Sequence, residues 1–265
     1  DALPIVKKFV GNGVFGMNVI EVKGMEIRIE LLGLMTTLIG PTNSGKTVFA
    51  KKLCNKIDNS DVFIDGKKIT EYDIKYLREN IAVVLDDDNY ENEFVYEELL
   101  YYQDQLGINF KEAELKIKDI ASFFKIEHLL GKKIYSLYIC DKVLVKILAL
   151  LLLSPKVFIV DNLLSYLKED KRKLLLKYLK EKEISFINIT TDAEEILFSD
   201  VVVVINNFKS VISGSPKSIL EGNSILPYMG IKLPFIVDLS HNLILYNVVD
   251  KIYCDNRKLV DKLWK

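Results

Sequence analysis

The sequence predicts an α/β fold with a helical subdomain inserted into it, and three observations carry that expectation. The stretch Gly40-Pro41-Thr42-Asn43-Ser44-Gly45-Lys46-Thr47 fits the phosphate-loop pattern G-x-x-x-x-G-K-[ST] at every required position. It stands between an apolar run, Met35 to Ile39, and a helix-like run, Lys46 to Ile57, which is the strand–loop–helix order such a loop needs. Helical patterning then fills the chain from about residue 92 to 154 before strand patterning returns.

Taken in order, Val14 to Glu21 and Met25 to Leu31 are strand-like, and Val62 to Ile69 predicts a strand closed by the Asp65-Gly66 turn. The opening half therefore predicts a mixed sheet. After a short strand at Ile81 to Leu85, the spacing predicts helices over Val95 to Gln105, Lys111 to Phe124 and Asp141 to Leu153. Strands follow at Val157 to Val160, Ser185 to Thr190, Val201 to Ile205 and Ser210 to Ile212, with a helix at Glu169 to Lys182. From Gly230 the character changes, and a helix is expected at Asp255 to Trp264. The expected division is residues 1–229 as one nucleotide-binding domain and 230–265 as a small C-terminal extension.

With 265 residues and 49% hydrophobic content, the chain can build a substantial core. Its 36 Lys+Arg against 37 Asp+Glu leave a net charge of -1, which gives no whole-molecule attraction to nucleic acid or anionic membranes. The longest apolar runs, such as Val143 to Leu153, are too short to span a bilayer, and no signal-peptide pattern opens the sequence. These features predict a cytosolic protein whose membrane attachment, if any, runs through a protein partner. Cys54, Cys140 and Cys254 are odd in number and widely spaced, which suits free thiols; neither they nor His128 and His241 form a metal-ligand cluster.

The loop's chemistry follows from its residue types. Backbone N–H groups wrap phosphate oxygens, Lys46 neutralises the β and γ oxygens of a nucleoside triphosphate, and the Thr47 hydroxyl reaches Mg²⁺. The order of parts resembles the ATP-binding subunits of ABC transporters over nearly the whole chain. That resemblance implies a P-loop NTPase core of ABC ATPase type, with an N-terminal antiparallel β subdomain, and ATP and Mg²⁺ as ligands. Pro155-Lys156-Val157-Phe158-Ile159-Val160-Asp161 is similar to the family's second nucleotide motif, which makes Asp161 a second Mg²⁺ residue. Ser199 to Pro216 resembles its late hairpin. Gly230-Ile231-Lys232-Leu233-Pro234 resembles the extension of the energy-coupling-factor (ECF) type. Phe15, upstream of the loop, stands nearest to where the family stacks an aromatic on adenine; core packing is the competing explanation for it.

Several positions depart from the family pattern. The signature that usually reads L-S-G-G-Q is here Leu137-Tyr138-Ile139-Cys140-Asp141, with bulk where small residues belong. Asn162 follows Asp161 where the family has a catalytic glutamate, and an amide cannot accept a proton from water. Loss of a general base costs roughly 10²–10⁴ in rate. Thr191 occupies the histidine position, Asp86 the glutamine position, and Lys168 a subunit-contacting aspartate. The resemblance therefore implies a chain that holds ATP and hydrolyses it poorly or not at all. The alternative is a non-catalytic assembly or regulatory module with a vestigial nucleotide site; a phosphoryl-transferring kinase fits the long helical insertion badly.

Two partners follow from the resemblance: a second ABC ATPase subunit, the same or different, and a transmembrane coupling subunit. The acidic stretch Asp86-Asp87-Asp88-Asn89-Tyr90-Glu91-Asn92-Glu93 falls where that membrane partner docks in the family, and carboxylates there would suit basic side chains. A solvated acidic loop explains the same residues. No nucleic acid partner is expected.

Overall fold

The computed structural model of the protein describes residues 17–264 apart from 32, 88, 223 and 224. Phe15 and the start of the Val14 strand lie outside the described residues. The chain runs through β1 (Val19–Val22), β2 (Ile27–Glu30), β3 (Met35–Ile39), α1 (Lys46–Leu53), β4 (Val62–Ile64), β5 (Lys67–Lys68), α2 (Ile74–Asn80) and β6 (Ile81–Val84). The inserted helices follow: α3 (Val95–Gln105), α4 (Phe110–Phe124) and α5 (Ile139–Leu151). Then come β7 (Val157–Asp161), α6 (Glu169–Glu181), β8 (Ser185–Thr190), β9 (Val201–Asn206) and β10 (Lys209–Gly214). The chain closes with α7 (Pro216–Gly222), α8 (Ile225–Tyr228), α9 (Phe235–Leu245) and α10 (Asn256–Leu263).

Two sheets form. The opening strands build a four-stranded sheet in the order β2-β1-β4-β5, with every pairing antiparallel. The second sheet has six strands in the order β10-β9-β3-β8-β7-β6, parallel except where β10 turns back on β9. The mixed sheet read from the residues of the opening half is thus divided, because β3 and β6 join the later strands and leave the all-antiparallel subdomain that the resemblance implied. The parallel strands are covered on both faces, which is why β7 and β8 are buried at every position and read as continuous apolar runs.

Local chemistry moves some expected boundaries. The helix expected to reach Ile57 ends at Leu53, and the chain turns at Asn55, whose φ of 57° is left-handed. The strand expected over Val62 to Ile69 is a hairpin, β4 and β5 joined by Asp65 and Gly66 at φ 49° and 80°, the pair of positive values a two-residue turn needs. Helix α5 starts two residues before the expected Asp141, inside the stretch aligned with the family signature. Helices α2, α7, α8 and α9 are not among those the sequence predicts; α2 has no buried residue and therefore little periodic signal, although Asp73 caps it by accepting from the N–H groups of Lys75 and Tyr76.

Three apolar clusters hold the elements together. One joins α3, α4 and α5 to one face of the parallel sheet through Phe124, Leu144, Leu148, Phe158 and Phe186. A second fills the space between the two sheets around Ile20, Ile64, Phe49, Leu38 and Ile159. The third packs Ile219, Leu226, Ile236, Val237, Tyr253 and Leu259 against Val202, Val204 and Ile196. Residues beyond 230 therefore share a core with β9.

Candidate functional site

In a parallel sheet the carboxyl ends of the strands lie along one edge, and groups far apart in sequence meet there. The phosphate loop follows β3, Asp86 follows β6, Asp161 ends β7 and is continued by Asn162, and Thr190 ends β8 and is continued by Thr191. Thr42, Asn43, Ser44, Gly45, Lys46, Thr47, Asp86, Asn162 and Thr191 line one cavity of about 670 Å³, together with Val48, Ser165, Tyr166, Thr190, Asp192 and Phe208. Pro41 lines an adjoining cavity of about 530 Å³, shared with Thr191, Asp192 and the segment Gly230-Ile231-Lys232. Gly40 stands at the loop's base, where an added Cβ would meet the carbonyl oxygen of Ile205 at 2.1 Å.

The loop is shaped to present backbone donors. Gly45 has φ 102° at the N-terminus of α1, and no side chain caps that terminus, so the first-turn N–H groups have no intrahelical partner. Asn43 adopts φ 63°, a conformation that asparagine tolerates better than most residues. The Lys46 side chain is buried and folded back on the loop: Nζ donates to the carbonyl oxygens of Gly40 and Pro41, each at 2.7 Å, and to Ser44 Oγ at 3.3 Å. Burial lowers its pKa from 10.5 to about 8, an effect partly offset by the charge of Asp161.

Asp161 is buried at the end of β7, and burial pushes its carboxyl above the ordinary range. The Thr47 hydroxyl bonded to it and the Lys46 charge act the other way. A hydroxyl, a buried carboxylate and a lysine meeting beside an uncapped helix terminus form a donor set that fits a metal-bound triphosphate. No group of three or more His, Cys, Asp and Glu able to hold a metal alone occurs among the described residues. A cation there would thus share its coordination with phosphate oxygens and water.

Asn162 and the turn that carries Thr191 are held by local hydrogen bonds. Asn162 sits at φ 54°, donates its N–H to Ile189 O at 2.8 Å, and donates Nδ2 to Asp161 Oδ1 at 3.1 Å. Thr190 Oγ1 accepts from Asp192 N at 3.0 Å, which shapes the turn carrying Thr191. The signature-aligned stretch is not part of this cavity. Leu137 is buried, while Tyr138 and Ile139 are 81% and 60% exposed at the start of α5, where Tyr138 provides no side-chain cap.

The acidic stretch does not act as one surface. Asp86 faces the phosphate cavity, Asp87 pairs with Lys51 at 2.7 Å, and Glu93 pairs with Lys133 at 2.6 Å. The Glu91 N–H is held by buried Glu98 at 3.0 Å, and Glu91 lines a groove of about 340 Å³ with Arg78, Tyr101, Tyr102, Gln105 and Leu150. Asp88 lies outside the described residues. Sequence reasoning missed Thr190, Ser165, Tyr166 and Phe208 as cavity residues. Asn207, a common hairpin-turn residue, marks a turn beside Phe208, but no local signal places that turn against the phosphate loop.

Comparison with known proteins gives a consistent result. The family described as ABC transporter matches residues 23–165. The energy-coupling factor transporter ATP-binding protein EcfA1 of Leuconostoc mesenteroides is 25% identical over 243 residues, covering 87% of this chain and 88% of its own. The EcfA1 protein of Mycoplasma mobile is 28% identical over 243 residues, covering 88% and 86%. Among solved structures, cbiO1 from Clostridium perfringens, part of the ABC transporter complex cbiONQ, superposes with a TM-score of 0.66 at 25% identity, covering 81% of this chain and 90% of its own. A nucleotide-free ATP-binding cassette at 20% identity and TM-score 0.64 shares the fold, covering 81% and 97%.

Proposed function

We propose, since this chain belongs to the ABC transporter family, that it is the ATP-binding subunit of an ECF-type importer and hydrolyses ATP poorly or not at all. The observation that carries this reading is the single cavity in which an intact phosphate loop meets Asn162, Thr191 and Asp86. Loop N–H groups and Lys46 would hold the phosphates, and Thr47 and Asp161 would hold Mg²⁺, which supplies charge neutralisation at the β and γ oxygens. Asn162 can orient a water but cannot take its proton, Thr191 offers no imidazole, and Tyr138 and Ile139 replace small residues on the surface a partner ATPase would meet. Such losses fall on one catalytic unit, so they do not multiply independently.

The description of cbiO1 as part of an ABC transporter complex supports membership of a complex, and this reading gives the chain a second ATPase subunit and a membrane coupling subunit as partners. Among the described residues no helix is long and apolar enough to cross a membrane, which suits a subunit held at the inner face by its partners. The groove at Glu91, Tyr101 and Tyr102, between the sheet edge and the inserted helices, is the docking place this reading assigns to the coupling subunit.

Purified protein tests the reading by calorimetric titration with Mg-ATP and by phosphate release. Binding without turnover is expected, and Lys46→Ala should abolish the binding. At a hundredfold excess over Kd, ATP should add about 2.7 kcal/mol of stability. Rapid hydrolysis that disappears in Lys46→Ala would sink the claim of weak catalysis; an unmoved melting temperature in saturating ATP would sink the claim of binding.

A further inference from the structure

The turn between β9 and β10 places two consecutive residues, Asn207 and Phe208, at φ 48° and 64°. Asparagine tolerates this conformation, whereas an aromatic at the second turn position is strained where glycine would be free. The turn is held against the phosphate loop. Phe208 N donates to Ser44 O at 2.8 Å, Lys209 pairs with Glu26, and a Cβ on Gly45 would stand 2.7 Å from Phe208 Cδ1. Gly45 is therefore bare on the side where the ring arrives.

Core packing does not explain the ring. Phe208 is 51% exposed, belongs to none of the three apolar clusters, and lines the cavity rimmed by Thr42 to Val48. Strain kept at a cavity wall points to a job for the side chain rather than for the turn. The polar contacts of the loop suit a triphosphate, and among the described residues, which do not include Phe15, the sugar and base still need a flat apolar surface. Tyr166 is the other aromatic lining the cavity among the described residues, but it follows β7 on the Asn162 side, while Phe208 is anchored to the loop itself.

We propose that Phe208 is a binding residue for the nucleoside part of the nucleotide, its ring forming a platform beside Gly45. The inference rests on the nucleotide-binding reading above and adds to it a residue that selects nucleotides over bare phosphate chains. Aromatic faces support bases and sugars through stacking and C–H contact without selecting one base strongly.

The test compares Mg-ATP with magnesium tripolyphosphate, which has the phosphates and no nucleoside, titrated calorimetrically against wild type, Phe208→Gly and Phe208→Tyr. Phe208→Gly should bind Mg-ATP about tenfold or more weakly and tripolyphosphate within about twofold of wild type. Phe208→Tyr, which keeps the flat ring, should restore ATP affinity. Glycine suits the turn, so folding should survive; Phe208→Leu, bulky but not flat, should give the same split. Equal losses for both ligands would mean that the ring only shapes the loop. A gain in ATP affinity would mean that it obstructs the site, and no change would mean that it touches nothing. Each of these three results overturns the proposal. If wild type binds neither ligand, the nucleotide reading itself fails; if it binds both and the variants fail to separate them, only the Phe208 assignment does.

Discussion

At Lys46, one ammonium group determines opposite pH trends for the free and the loaded protein. Its pKa in the fold is about 8 against an ordinary 10.5, with burial the larger cause and Asp161 opposing it. Below pH 8 the group is charged in both folded and unfolded chains, and the fold bears the full burial penalty. Between 8 and 10.5 the folded chain releases its proton first, so this group makes the free protein more stable as pH rises. Phosphate binding needs the charged form and should weaken as pH rises through about 8. Mg-ATP affinity measured from pH 7 to about 9.5 should decline above that value, and a flat profile would count against Lys46 as the phosphate anchor. Asn162 gives the second residue-scale prediction. Its φ of 54° suits asparagine, so Asn162→Glu should cost about 1–2 kcal/mol in urea denaturation. On the proposed reading the variant should raise phosphate release less than about tenfold, because Thr191, Asp86 and residues 137–141 stay as they are. Rapid turnover in Asn162→Glu would show that the missing carboxylate was the only defect.

Helix starts and turn residues decide the structure one level up. Helix α5 begins after Tyr138, whose side chain caps nothing and stands 81% exposed. Tyr138→Ser would place a hydroxyl acceptor at that terminus and should stabilise the protein by about 1 kcal/mol, read as a higher urea midpoint with unchanged slope. A midpoint that does not move would show that water already satisfies those N–H groups. The bounds of α3 were legible because its apolar period and Glu97 and Glu98 in the first turn agree. Those of α4 were nearly so, with Asn109 capping its start. The end of α1 was not, because no glycine or proline marks it; the left-handed turn at Asn55 falls among lysines that propensity would leave helical. The candidate site divides in the same way. Residues 40–47 carry their chemistry in their spacing, whereas Asp161 became a candidate through the resemblance of the apolar run it ends to the family's second nucleotide motif. Phe208 was legible in neither way, since nothing in Asn207-Phe208-Lys209 shows that β9 lies beside β3.

The whole molecule is held by shared cores rather than by separable pieces. Although composition suggests a division at residue 230, Ile236, Val237, Tyr253 and Leu259 bury themselves against the outer face of β9. The Phe235 N–H also donates to Glu194 Oε1 at 2.6 Å, beside the turn that carries Thr191. Truncation after Met229 would expose Ile196, Val202, Val204, Ile219 and Leu220 to water. Burial of an apolar side chain is worth about 1.5–3 kcal/mol, so the loss is comparable with the 5–15 kcal/mol that holds a typical domain together. The fragment 1–229 should precipitate or melt at least about 10 °C lower than the full chain. A soluble fragment with an unchanged melting temperature would show that the extension is an independent unit. The sequence by itself determined the phosphate loop, the apolar run that ends at Asp161 and the inserted helices, because each depends on residue type and local spacing. Only the tertiary structure decided that β3 and β6 leave the opening strands for the parallel sheet, that the acidic stretch is divided among separate partners, and that Phe208 stands over Gly45. Those outcomes depend on which strands become neighbours, and that choice is made by burial across the whole chain.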